Sequence, residues 1–161
     1  MASKLGMTFK NHMAIALEEA KIAGARGEVP VGACVVDASG TVISRAGNRT
    51  RELSDPSAHA EVLSIRLACQ HLGQERLEGY SLYVTLEPCA MCAGLIAAAR
   101  IARLYFGASD PKSGGVLSGA QVFRHPQAHH SPEVYDGISE EECAELLREF
   151  FGDLRKKGSE G

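Results

Sequence analysis

The chain has 161 residues, 45% of them hydrophobic, with 17 basic and 20 acidic side chains and a net charge of −3. A chain of that length buries about 70% of its unfolded surface, so it needs neither disulfides nor a metal merely to hold a core, and one domain over residues 1–161 is expected. The balance is not basic, no apolar run approaches the roughly 20 residues that span a bilayer, and the cysteines are five, an odd count; charge alone therefore gives no case for nucleic acid, no membrane span is expected, and a small secreted disulfide framework is excluded.

The opening stretch "MASKLGMTFK" lacks the long apolar region of a signal peptide, so a cytoplasmic protein is expected. Phe9, Met13, Ala16, Leu17 and Ala20 recur at helical spacing, and Gly27 can end that helix. "VPVGACVV" reads as a buried strand, "DASG" as a turn and "TVISRAGN" as the returning strand of a hairpin. After the polar loop "NRTRELSDPSA", Asp55 before Pro56 resembles a helix start, and "HAEVLSIRLACQHL" continues that helix to Gly73. "YSLYVTL" is a third strand, and Pro88 opens a helix, "CAMCAGLIAAAR", that is small or apolar nearly all round. "IARLYFGA" is a fourth strand, "SDPKSGGVLSG" a loop, "AQVF" a short fifth strand and "RHPQAHHSPEVYDG" a second loop. Ser139 and Glu142 form a capping-box pattern, and Cys143, Leu146, Leu147, Phe150 and Leu154 mark the inner stripe of a last helix. The order αββαβαβ(β)α fits one sheet covered by helices, the α/β layer type. Cys34, Cys69 and Cys143 fall inside apolar patterns and read as buried structural thiols.

The chemistry gathers at two short stretches. Cys89 and Cys92 stand at i and i+3 in the first turn of a helix, where unpaired N–H groups and the helix dipole favour thiolates. Taken alone, the pair reads equally as a redox couple, half of a structural zinc site, or coincidence. No second C-x-x-C completes a four-cysteine site. His59, in "AHAEV", is a candidate third ligand, itself in the first turn of a helix. Glu61 is two residues on, and at about 100° per residue it does not share a face with His59. One side chain can thus bind a metal while the other acts as acid and base beside it. Three protein ligands leave one tetrahedral position open, as in catalytic zinc sites. The joint pattern H-x-E…P-C-x-x-C is the known signature of zinc nucleobase deaminases.

Beyond that signature, "EVPVGA", "NR" at Asn48 and Arg49, "DPSAHAEV", "LYVTLEPCAMCAG", "FGASDPKSG" and "ECAELLREFF" resemble the bacterial tRNA-specific adenosine deaminases over about residues 9–154. The resemblance implies a three-layer α/β/α fold of the cytidine deaminase type, with a central mixed sheet of about five strands flanked by helices. It implies one Zn²⁺ per chain on His59, Cys89 and Cys92, with Glu61 as the catalytic proton shuttle. It implies that Asn48 hydrogen-bonds a flipped adenine whose pocket Val31, Ala60 and Leu86 help to line. Read without the resemblance, Asn48 is a turn residue and the apolar three are ordinary core. The implied reaction converts the wobble adenosine of a tRNA anticodon stem-loop to inosine, in a homodimer with the small-residue helix at residues 90–99 near the interface. Arg49, Arg51, Lys112 and His129 are candidate RNA contacts, with Arg155, Lys156 and Lys157 as either further contacts or a basic cap on the last helix. His129 stands where many bacterial members have Asn, and Ser109 where some carry a charge. The alternative activity with the same zinc chemistry is deamination of a small free base, guanine or cytosine. A zinc-stabilised binding protein and a thiol redox protein are the non-deaminase alternatives.

Overall fold

In a computed structural model, the backbone is described for residues 2–160 and the side chains for residues 12–158. The first helix, α1, runs Ala2–Ala25, and β1 (Gly32–Val36) and β2 (Val42–Gly47) form the hairpin after it. Then come α2 (Ala60–Leu72), β3 (Ser81–Leu86), α3 (Ala90–Ala98), β4 (Arg103–Ala108), a 3-10 turn at Val122–Arg124, β5 (Glu133–Tyr135) and α4 (Glu140–Glu160). The strands lie in the order β2-β1-β3-β4-β5. β1 is antiparallel to both β2 and β3, whereas β3–β4 and β4–β5 are parallel. This is the expected mixed five-strand sheet.

Strand alternation sorts the core into two layers. Leu82, Val84, Leu104 and Phe106 join Ile65 and Ala68 of α2 and Ala93 and Ile96 of α3. Tyr83 and Tyr105 turn to the other face, with Met13, Ala16 and Leu17 of α1 and Cys143 of α4. The α1 stripe is as expected, apart from Phe9, whose side chain lies outside those described. Cys34 and Cys143 are buried and Cys69 half-buried, as free thiols.

α1 sits flush on the hairpin because Gly32 and Gly47 present no side chain. A Cβ on Gly32 would drive into the backbone of Ala16 and Ala20, and one on Gly47 would stand 2.6 Å from the Glu19 carbonyl oxygen. Helix backbone cannot step aside as a flexible side chain can. Gly32→Ala is therefore expected to destabilise by about 3 kcal/mol, the upper end of overpacking costs, read as a lower urea midpoint at unchanged m-value.

Several boundaries differ from expectation, each for a local reason. "AQVF" is not a strand: Gln121 takes a left-handed φ of 45°, and Val122–Arg124 form a 3-10 turn. The fifth strand instead lies in the stretch read as the second loop, where Glu133–Tyr135 pairs with Arg103–Tyr105. Asp55 and Pro56 do not start α2. The Asp55 carboxylate accepts the Ser57 N–H (2.8 Å) and hydroxyl (2.7 Å), the Ala58 N–H closes a turn on the Asp55 carbonyl (3.1 Å), and the helix begins only after His59, which is extended. Ser139 caps nothing with its side chain: at φ 53° it leaves the extended conformation that would aim a hydroxyl at the helix N–H groups. Three glutamates, Glu140, Glu141 and Glu142, oppose the dipole there instead. Leu154 is 44% exposed, so the inner stripe of α4 stops before it. Among the described residues no helix is long and apolar enough to cross a membrane.

Candidate metal centre and substrate cavity

Two helix N-termini meet at this site. His59 is the N-cap residue of α2 (φ −75°, ψ 153°) and Cys89 that of α3 (φ −72°, ψ 174°), so each lies one residue earlier than a first-turn position. Cys92 is fully buried in the first turn of α3. The His59 Nδ1 stands 3.7 Å from the Cys89 sulfur and 3.4 Å from the Cys92 sulfur. These three donor atoms all lie within 4.8 Å of one another, and among the described residues no other His, Cys, Asp or Glu joins them. One imidazole and two sulfurs converging on a point form a donor set that suits zinc.

The three donors hydrogen-bond to one another, and their proton affinities shift in opposite directions. The Cys89 thiol is pulled down to about 3, first by the Cys92 S–H and then by the His59 ring. The Cys92 thiol is pushed up by that same hydrogen bond and by burial, and the His59 ring is raised chiefly by Cys89. Glu61, in the first turn of α2, is 4% exposed, and burial raises its carboxyl above the ordinary range.

These groups open onto a cavity of about 240 Å³ lined by His59, Glu61 and Cys89, with Asn48, Val31 and Leu86 from the expected set. Ala60 is not on that wall. Its side chain is buried in the core, and its N–H donates to the Asn48 Oδ1 at 2.8 Å. Asn48 thus ties the end of β2 to the start of α2 across twelve residues. That bond orients its amide, and among the described residues Nδ2 has no hydrogen-bond partner. The chain beyond Asn48 is rooted by Glu28, which is 2% exposed and accepts the N–H groups of Arg51 (3.0 Å) and Glu52 (2.9 Å). Burial raises the Glu28 carboxyl, but those two N–H groups and the guanidiniums of Arg26 and Arg51 bring it below its ordinary value.

The expected RNA contacts scatter. The Arg49 side chain pairs with Glu52 at 2.6 Å, Arg51 reaches the Gly27 carbonyl at 3.2 Å, and Lys112 is exposed on the loop beside the cavity. His129 lines a different cavity, of about 320 Å³, along Gly94, Ala97 and Ala98 of α3. Arg155, Lys156 and Lys157 are exposed near the end of α4. Sequence reasoning missed Val29, Thr50, Glu87, Asp110 and Ser113 as cavity residues. Only Glu87 carried a signal: a charge between an apolar strand and an apolar helix, two residues before a ligand.

Residues 7–108 match the family described as the cytidine and deoxycytidylate deaminase zinc-binding region. The chain is 59% identical to the tRNA-specific adenosine deaminase of Agrobacterium fabrum over 143 residues, covering 89% of this chain and 93% of that protein. It is 46% identical to the corresponding protein of Bacillus subtilis over 146 residues, covering 91% and 90%. A solved structure from a study of A-to-I editing by tRNA:A34 deaminases at the wobble position superposes with a TM-score of 0.84 at 59% identity, covering 85% of this chain and 99% of that one. The chain belongs to the tRNA-specific adenosine deaminases, within the cytidine and deoxycytidylate deaminase zinc-binding family.

Proposed function

We propose that this chain, as one deaminase domain, converts the wobble adenosine of a tRNA anticodon to inosine with release of ammonia. The observation that carries this is the convergence of His59, Cys89 and Cys92 beside a buried Glu61 at one cavity. The three side chains hold one zinc ion per chain. Zinc bound there supplies a Lewis acid that brings a water near neutral acidity. Glu61 accepts one proton from the attacking water and passes it to the ring nitrogen, then takes the second from the hydroxyl now on the ring carbon and passes it to the departing amine. A carboxyl whose proton affinity burial has raised is suited to that two-way traffic.

The remaining residues hold the base. With its oxygen committed to Ala60, Asn48 offers Nδ2–H to an acceptor on the base. Val31 and Leu86 give the ring apolar contact, and Ala60 contributes through its backbone. A small cavity of this kind requires the nucleotide to leave its stack. Lys112, Arg49 and Arg51 are the nearest candidates for phosphates. The α3 face with Gly94, Ala97, Ala98 and the 44%-exposed Met91 is the surface we assign to a second copy, with His129 at its edge. The same reading assigns the protein to the cytoplasm.

The test uses a purified anticodon stem-loop with adenosine at the wobble position. Inosine is expected there, with little turnover of free adenosine or cytidine. No inosine, together with good turnover of free guanine or cytosine, would move the assignment to a small-base deaminase.

A further inference from the structure

Glu87 stands between β3 and α3, two residues ahead of Cys89, and is 2% exposed. Burying a carboxylate is costly unless it is paired or fully hydrogen-bonded. Among the described residues no ion pair reaches this one. Its five donors all come from a single loop, residues 109–118. Oε1 accepts the Asp110 N–H and the Ser118 hydroxyl, each at 3.0 Å. Oε2 accepts the N–H groups of Val116 (3.2 Å), Leu117 (2.9 Å) and Ser118 (2.9 Å). The loop wraps the carboxylate as a nest of main-chain donors.

Side chains would prevent that wrap. A Cβ on Gly114 would stand 2.5 Å from the Glu87 carboxyl carbon, and one on Gly115 would stand 2.6 Å from the Ala90 nitrogen. The Gly115 N–H also donates to the Pro88 carbonyl at 2.8 Å, which fastens the loop to the entry of α3. The same loop carries Asp110 and Ser113 into the wall of the substrate cavity. One buried carboxylate therefore decides where that wall stands.

We propose that Glu87 is a positioning residue for the RNA substrate, holding the 109–118 loop as the wall that grips the target nucleotide. This rests on the function proposed above. Glu61, His59 and Asn48 belong to α2 and to the end of β2, not to this loop. Loosening the loop should therefore weaken substrate grip more than it slows the chemical step.

Glu87→Gln keeps the volume but turns an NH₂ donor toward N–H donors, so part of the nest is lost. With the stem-loop substrate, KM is expected to rise about tenfold, kcat to fall by less than about threefold, and zinc content to stay at about one per chain. Ser118→Ala removes the one side-chain donor and leaves the four N–H bonds, and its KM is expected to rise about threefold. A merely structural role predicts the opposite split: lower Tm, zinc or kcat, with KM unchanged in both variants, and that result overturns the proposal. If Glu87→Gln does not fold, Ser118→Ala decides alone, a raised KM supporting the proposal and a wild-type KM overturning it. A wild-type protein that makes no inosine would instead defeat the underlying function, so the two failures are distinguishable.

Discussion

Glu61→Gln is expected to lose turnover while keeping both its fold and its metal. The substitution preserves shape in a site where the side chain is 4% exposed, so packing changes little. It removes the only property the mechanism needs there, a group that accepts and returns a proton. General acid–base catalysis contributes typically 10²–10⁴-fold, and a fall in kcat of about 10³-fold is expected at neutral pH. Because the lost interaction belongs to the transition state, kcat and kcat/KM should fall together. Single-turnover inosine formation gives the rate, elemental analysis the zinc, and a thermal melt the fold. Turnover within about tenfold of wild type would remove Glu61 from the proton-transfer role. Loss of zinc would show instead that the side chain serves the metal centre.

Cys92→Ala is expected to lose metal and activity together and yet remain folded. The Cys92 sulfur is fully buried and 3.4 Å from the His59 Nδ1, so its loss removes a ligand that no neighbour can replace. Changes in the partners of metal ligands typically cost 10–100-fold in affinity, and loss of a ligand itself should cost more than about 100-fold. Zinc per chain and inosine yield should fall in parallel, with partial recovery in excess zinc. The fold should persist because two apolar layers pack around the sheet without the metal. A cooperative melt with native far-UV circular dichroism but a lowered Tm is the expected outcome. Unfolding on loss of zinc, as in zinc fingers, would mark the centre as structural. A metal-free wild-type protein carrying a Cys89–Cys92 disulfide would favour redox chemistry, whereas both cysteines are free here.

The metal centre was legible because its parts are short-range. "HAE" and "PCAMC" each place their side chains within one helical turn, and the residue types alone limit which ions they suit. The strands and helices that dominate the fold were legible for a similar reason: hydrophobic period reports local conformation directly. The three-residue β5 was not. Glu133–Tyr135 has an exposed–intermediate–exposed pattern, and it is a strand only because Arg103–Tyr105 lies beside it. The start of α2 misled for the converse reason. Asp55 has the composition of a cap, but Ser57 satisfies its carboxylate first, and the first N–H of the helix is taken by Asn48 from another element.

By itself, then, the sequence determined the α/β class, the order of the main elements, the three metal-ligating candidates and the acid–base candidate, all properties carried by residue type and local spacing. Tertiary structure alone decided that His59, Cys89 and Cys92 converge, and that Asn48 spends its oxygen on Ala60 while keeping an amide donor for the cavity. It also separated His129 from the metal cavity and wrapped the 109–118 loop around Glu87. The physical reason is that hydrogen bonds between distant segments and the burial of a charge depend on which elements the sheet brings side by side. No spacing along the chain encodes that directly.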